Sequence, residues 1–158
     1  MQMKRFSKEP TKKNGPYGFR VRAYASSGVP DHYEVSFSNV SFTGGYNQSW
    51  STWMAPLYCR DNATLNLTNV ILTDECSTAL EFDATDSFMD SENGTYATLN
   101  LNGVTIGESA KINISGNANV SAKVYINYEN CTNISDSSFT YTNCDGTTIY
   151  LNGVEFVQ

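Results

Sequence analysis

Residues 65–72 read Leu65-Asn66-Leu67-Thr68-Asn69-Val70-Ile71-Leu72. Leu65 and Leu67 alternate with polar residues, as in a short strand that turns one face inward. The Asn that follows can adopt left-handed backbone at a lower cost than most residues, so the chain bends there. Val70 and the next apolar residues then begin a second short strand that faces the same core. This stretch therefore predicts two short strands joined by a bend.

The pattern apolar-x-apolar-x-(Asn/Gly)-Val-x-apolar recurs along the chain. Full copies lie at residues 35–42, 99–106 and 149–156, and weaker ones at 126–131 and 139–144. Equivalent apolar positions are 23 to 34 residues apart, a period typical of solenoids and arrays. We therefore expect stacked coils with aliphatic columns inside and Asn side chains that hydrogen-bond along the turn column.

This repeat resembles the right-handed parallel β-helix repeat proteins, the pectate-lyase-like superfamily. The turns that carry the resemblance are Asn39-Val40, Asn69-Val70, Gly103-Val104 and Gly153-Val154. The resemblance implies an all-β, right-handed parallel β-helix (solenoid) of roughly five irregular coils, with longer loops at 43–62 and 84–96. It implies little about activity. The alternative fold is an antiparallel β-sandwich or jelly roll, which also contains many short alternating strands.

Charge divides the chain into two parts. The net charge is −6, yet residues 1–22 hold seven of the ten basic residues and one of the 16 acids. We predict a basic, Gly/Pro-rich N-terminal arm at 1–31, with a strand near Phe19–Tyr24, and an acidic β-domain at 32–158. Such an asymmetry indicates either an arm that meets an acidic partner or a solvated tail. The predicted anchoring residues are Lys4, Arg5, Lys8, Lys12, Lys13, Arg20 and Arg22.

Several kinds of chemistry are disfavoured by the residues available. His32 is the single histidine, and it lies before the β-domain proper, so no Ser–His–Asp arrangement is expected there. The four cysteines form no CxxC pair, which argues against zinc and favours free thiols over two disulfides. No nucleotide-binding glycine motif is present. We predict no metal and no cofactor.

The acids are the remaining candidates for catalysis. Glu81 and Asp83 would share one face of a strand, and glycoside hydrolysis needs two carboxyl groups about 5–9.5 Å apart. Further candidates in the same region are Asp74, Glu75, Asp86, Asp90 and Glu92. The lyases of the superfamily use calcium-binding acids with catalytic basic residues, but the chain after residue 22 has three basic residues. We therefore expect solvated acids and no enzymatic activity.

Aromatic residues offer a different kind of site. Tyr46, Trp50, Trp53 and Tyr58 lie in a Gly- and Ser-rich stretch that includes both tryptophans. Exposed, they could stack on a sugar or pack against a protein partner. The alternative is a loop that covers an open end of the core, since solenoids need caps.

These observations predict a non-enzymatic structural or assembly protein, as in a viral (phage) surface or capsid-decoration component anchored by its N-terminal arm. Its partners would be capsid or other assembly subunits, and the protein a homo-oligomer such as a trimer. We expect no specific nucleic-acid binding and no membrane insertion, since no secretory signal and no apolar run of 18 residues is visible. The expected location is a virion or extracellular surface. The alternative function is a carbohydrate-binding or adhesin module of a larger surface protein.

Overall fold

The structure is a computed structural model that describes residues 19–22, 33–42, 55–60, 63–72, 77–84, 95–116 and 122–156. Short strands dominate these residues, together with a 3-10 helix at Asp136–Ser138. The strands in chain order are β1 (Phe19–Arg22), β2 (Tyr33–Ser38), β3 (Ser41–Phe42), β4 (Leu57–Arg60), β5 (Ala63–Thr68), β6 (Ile71–Leu72), β7 (Thr78–Asp83), β8 (Thr95–Asn102), β9 (Lys111–Ser115), β10 (Ala122–Glu129), β11 (Phe139–Thr142), β12 (Thr147–Leu151) and β13 (Val154–Phe156).

These strands form a parallel β-solenoid of about three turns. One sheet has the order β1-β4-β7-β9-β11, a second β13-β12-β10-β8-β5-β2, and a two-stranded sheet joins β3 to β6. Every pair within the described residues is parallel except β12 with β13. The predicted parallel solenoid is thus confirmed and the antiparallel sandwich is excluded. The number of turns is smaller than the predicted five coils.

The core consists of columns of apolar side chains that stack from turn to turn. In the six-stranded sheet, the parallel register aligns Val35, Leu65, Leu99, Ile126 and Leu151 in one such column. Leu65, Leu99 and Ile126 are fully buried. Burying each such side chain contributes about 1.5–3 kcal/mol, so the repeated aliphatic positions are the main source of stability.

Each bend after a strand of the six-stranded sheet uses a residue with positive φ. These residues are Asn39 (φ 54°), Asn69 (φ 51°), Gly103 (φ 65°) and Asn130 (φ 54°). Asn69 Nδ2 donates a hydrogen bond to Asn39 Oδ1 at 3.3 Å. The predicted left-handed bend and the hydrogen bond along the turn column are both present at these positions.

The last full copy of the repeat does not form a coil. Asn152 (φ 47°) and Gly153 (φ 81°) both have positive φ, as a type I′ hairpin turn requires. The chain therefore reverses, and β13 pairs antiparallel with β12. Leu151 aligns with Ile126 and, through it, with Leu99, whereas the repeat aligned Leu151 with Leu101. The prediction was wrong here because a single pattern of residues suits both a bend and a reversal.

The weaker copy at residues 139–144 also has a different place from the one the repeat gave it. Phe139–Thr142 is β11 of the five-stranded sheet, where it pairs with β9, so it faces the repeat columns instead of extending them. These two displaced copies account for the smaller number of turns. In the described part of the chain, no helix has the length and apolar character of a membrane span.

Candidate functional site

Most of the site residues predicted from the sequence lie outside the described residues. This applies to Lys4, Arg5, Lys8, Lys12 and Lys13 of the arm and to Tyr46, Trp50 and Trp53 of the aromatic stretch. Arg20 and Arg22 belong to β1, which pairs with β4 at the edge of the five-stranded sheet. Tyr58 lies in β4, is 5% exposed, and donates a hydrogen bond to Asp83 Oδ2 at 3.3 Å. Its hydroxyl therefore contacts the sheet itself.

Glu81 and Asp83 do share the outer face of β7, as the alternation predicted. Glu81 is 7% exposed and accepts hydrogen bonds from Asn113 Nδ2, at 2.7 Å, and from Ser115 Oγ. Burial raises the pKa of the Glu81 carboxyl, although the two hydrogen bonds oppose this effect; the neighbouring charge of Asp83 adds to it. The carboxyl is therefore more readily protonated than an exposed Glu.

Hydrogen bonds carry this polar cluster across the five-stranded sheet. Asn113 Oδ1 accepts from Thr140 Oγ1 at 3.0 Å and from Thr142 Oγ1 at 3.1 Å. The carboxylate of Glu81 is thus bound by side chains that are themselves bound to the next strand. Among the described residues, no three His, Cys, Asp or Glu side chains lie together as a metal would require. The arrangement suits a structural role in joining β7, β9 and β11.

The six-stranded sheet carries a ladder of asparagine amides on its outer face. Asn127 Nδ2 donates to Asn100 Oδ1 at 2.8 Å, and Asn100 Nδ2 donates to Asn66 Oδ1 at 2.8 Å. Asn66 Nδ2 completes the ladder by donating to Glu34 Oε1 at 2.6 Å and to Ser36 Oγ at 3.2 Å. The parallel register places these residues at one level of four adjacent strands.

The ladder leaves part of its hydrogen-bonding capacity unused. An Asn side chain has two N–H donors and an oxygen with two lone pairs. Asn100 uses one N–H and one lone pair in the ladder, and Asn127 uses one N–H. Asn152, one strand further on, accepts through Oδ1 from the backbone N–H of Tyr128 at 2.9 Å. Donors and acceptors therefore remain side by side on the open face.

A groove of about 460 Å³ lies over these amides. It crosses β5, β8, β10 and β12, and three strand spacings correspond to a span on the order of 14 Å. Its lining includes Asn66, Asn100, Asn102, Asn127, Glu129 and Asn152. Asn102 Nδ2 donates to Glu129 Oε1 at 2.6 Å, which fixes the carboxylate at one side. Lys, Arg and His are absent from the described residues that line the groove.

Two tyrosines border the groove on the same face. Tyr125 and Tyr150 precede Asn127 and Asn152 by two residues, and their rings stack with centroids 5.0 Å apart and planes at 13°. Both rings are half-buried. Thr98 aligns with Tyr125 on the next strand, so a small side chain faces the ring there. The site thus combines an apolar ring, a gap beside it and a row of amides.

Sequence reasoning missed this site because it looked for aromatic loops and paired acids. The signal was present in the polar positions of the repeat, where Asn66, Asn100 and Asn127 occupy the same place in three copies. Tyr125 and Tyr150 follow no such rule, since their contact depends on the register of β12.

Comparison of the chain with protein-family models, with curated proteins and with solved structures found no match. The argument for a function therefore comes from the groove and its chemistry.

Proposed function

We propose that the protein is a non-catalytic carbohydrate-binding module whose binding site is the asparagine-lined groove of the six-stranded sheet. The observation that carries this proposal is the row of amides with unused donors and acceptors on an open sheet face. A sugar hydroxyl both donates and accepts, so it can use the two atoms of one amide.

The groove also meets other requirements of such a site. Its amides are held by their neighbours, so little conformational entropy is lost when a ligand binds. The tyrosine pair supplies apolar surface for the C–H face of a sugar ring. Glu129 and Asn102 add a fixed acceptor at the edge.

The test is binding of the intact protein to an array of neutral and acidic oligosaccharides, compared with two Ala variants. Asn127→Ala removes an exposed amide from the groove and should weaken binding of the best ligand at least tenfold. Asn113→Ala removes an amide from the outer face of the other sheet and serves as the matched control. Thermal unfolding checks that both variants are folded. Equal binding by all three proteins, or no binding to any glycan, contradicts the proposal.

An assembly role is the second candidate, and the placement of β1 favours it. β1 contains Arg20 and Arg22 and forms the edge of the five-stranded sheet, so the arm leaves from one end of the solenoid. Edge strands offer free backbone groups to a neighbouring chain. In this proposal, the arm anchors the protein to subunits of a larger particle, such as a virus capsid, and the solenoid projects outward as an oligomer.

Deletion of residues 1–22 tests the assembly proposal. We expect the full chain to co-sediment with the particle or partner from its source, and the shortened chain to remain free. Co-sedimentation of the shortened chain would remove the anchoring role. We further propose that the likeness to the pectate-lyase-like superfamily concerns the fold alone and brings no lyase activity.

A further inference from the structure

We infer that the groove selects a neutral glycan, one pyranose ring of which stacks on Tyr125 in the gap above Thr98. This inference rests on the proposed carbohydrate binding and names the ligand class and a residue that determines specificity.

The charges around the groove favour a neutral ligand. Glu129 lies in the lining, and the ladder ends on the carboxylate of Glu34. Lys123 lies on the same face but beyond Tyr125, six residues from Glu129 along β10, which is on the order of 20 Å. A uronate in the groove would approach a carboxylate with no cation beside it, whereas a neutral hydroxyl meets an acceptor.

The neighbours of Tyr125 determine where a sugar ring can stack. One face of the Tyr125 ring is covered by Tyr150. The register places Thr98 on the other side, and Thr64 beyond it. Two small side chains in succession leave a gap next to the exposed part of the ring. A pyranose that fills this gap covers the ring through its apolar C–H face.

The same position brings the sugar hydroxyls to the ladder. Asn100 and Asn127 lie two residues after Thr98 and Tyr125 on the same strands, so their amides are next to the gap. Asn127 Oδ1 accepts no hydrogen bond within the described residues, and Asn100 keeps one N–H and one lone pair. A pair of neighbouring hydroxyls on the stacked ring can bind both amides at once.

The first experiment titrates the intact protein with neutral gluco- and galacto-oligosaccharides and with oligogalacturonides of the same length. We expect binding of a neutral series and at least tenfold weaker binding of the uronates. Glu129→Gln keeps an oxygen acceptor for Asn102 and should reduce that difference. Stronger binding of the uronates overturns the inference.

The second experiment fills or empties the gap. Thr98→Leu should weaken the neutral ligand about tenfold by occupying the sugar position, and Tyr125→Ala should do so by removing the ring, while Tyr125→Phe should bind like the wild type. Thr148→Leu, two residues before Tyr150 on the same face, is the matched control and should leave binding unchanged. Chemical unfolding confirms that each variant is folded.

The outcomes separate the two proposals. If no glycan binds the wild-type protein, the proposed function itself is overturned. If a glycan binds and Asn127→Ala abolishes binding, but Thr98→Leu and Tyr125→Ala bind normally, the inferred sugar position is overturned and the proposed function stands. Loss of binding in Thr98→Leu and Tyr125→Ala with retention in Thr148→Leu supports the inference.

Discussion

At the scale of single residues, the turn column shows why one position is glycine and its equivalents are asparagine. A Cβ atom on Gly103 would lie 2.5 Å from Asn69 Oδ1. Asn69 directs that oxygen toward the next turn because its Nδ2 donates to Asn39. A glycine at position 103 therefore makes room for the amide of the turn below, in addition to adopting positive φ.

This contact makes Gly103→Ala strongly destabilising. The left-handed backbone alone costs about 1–2 kcal/mol with an Ala side chain, and the overlap with Asn69 should bring the loss of unfolding free energy to about 2–3 kcal/mol. Gly153→Ala is the control, because φ is also positive there but nothing lies within 4 Å of the new Cβ. Urea unfolding measures both, and equal losses would show that the contact with Asn69 contributes nothing.

The buried carboxyl of Glu81 predicts a dependence of stability on pH. Its pKa is raised in the folded state, so the folded protein binds more protons than the unfolded chain above pH 4.5. Its stability contribution is therefore present at low pH and is lost as the pH rises from 4.5 through the folded pKa.

Glu81→Gln removes this titration while keeping an oxygen acceptor for Asn113 and Ser115. We expect a higher melting temperature than the wild type at pH 7 and a smaller difference at pH 4, as measured by circular dichroism. A variant that is less stable than the wild type at pH 7 would mean that the charged carboxylate stabilises the fold.

At the scale of strands, the aliphatic columns should be more sensitive than any other part of the solenoid. Leu99 is fully buried in the column between Leu65 and Ile126, and Leu99→Ala should lower the unfolding free energy by about 3 kcal/mol. Val154 is 70% exposed in β13, so Val154→Ala should change it by less than about 0.5 kcal/mol. Denaturant titration tests both, and similar losses would contradict the assignment of the core.

The strands also show how far sequence reasoning reaches. The spacings from Phe37 to Leu67, Leu101 and Tyr128 gave the correct columns, because the side chains of a strand alternate strictly. The assignment failed at Asn152-Gly153, where two consecutive residues with positive φ reverse the chain. The Asn-Gly pair between alternating segments is the usual hairpin signal and could have been recognised.

The site was less predictable than the fold, for a physical reason. The ladder needs only the repeat, since Asn66, Asn100 and Asn127 are equivalent positions. The gap above Thr98 depends on the register between β8, β10 and β12, which no local pattern specifies. Where the five-stranded sheet lies relative to Glu81 likewise follows from the path of the chain between strands.

At the scale of the whole molecule, the two ends of the solenoid differ. At one end, Phe19 is 50% exposed and its ring contacts Phe37, with centroids 5.4 Å apart. At the other, β13 folds back on β12, and Phe156 stacks on Tyr141 with centroids 5.2 Å apart. The hairpin therefore covers one end of the six-stranded sheet and of the core.

Removal of residues 152–158 should expose the edge of β12 and the ring of Tyr141. Open parallel edges pair with other chains, so we expect concentration-dependent association of the shortened protein, measured by light scattering. Val154→Lys in the full chain adds a charge to the same hairpin without opening it, and should leave the full chain's state of association unchanged. A shortened protein that remains as dispersed as the full chain would contradict the capping role.

The asparagine ladder has a direction, and this gives the sheet face an electrical polarity. Each amide from Asn127 to Asn66 points its N–H toward the Glu34 side, so the amide dipoles add as peptide dipoles do in a helix. The carboxylate of Glu34 lies at the positive end, where a negative charge is stabilised. The negative end is the oxygen of Asn127, and dipoles aligned behind it make that oxygen a stronger acceptor for a hydroxyl arriving from solution.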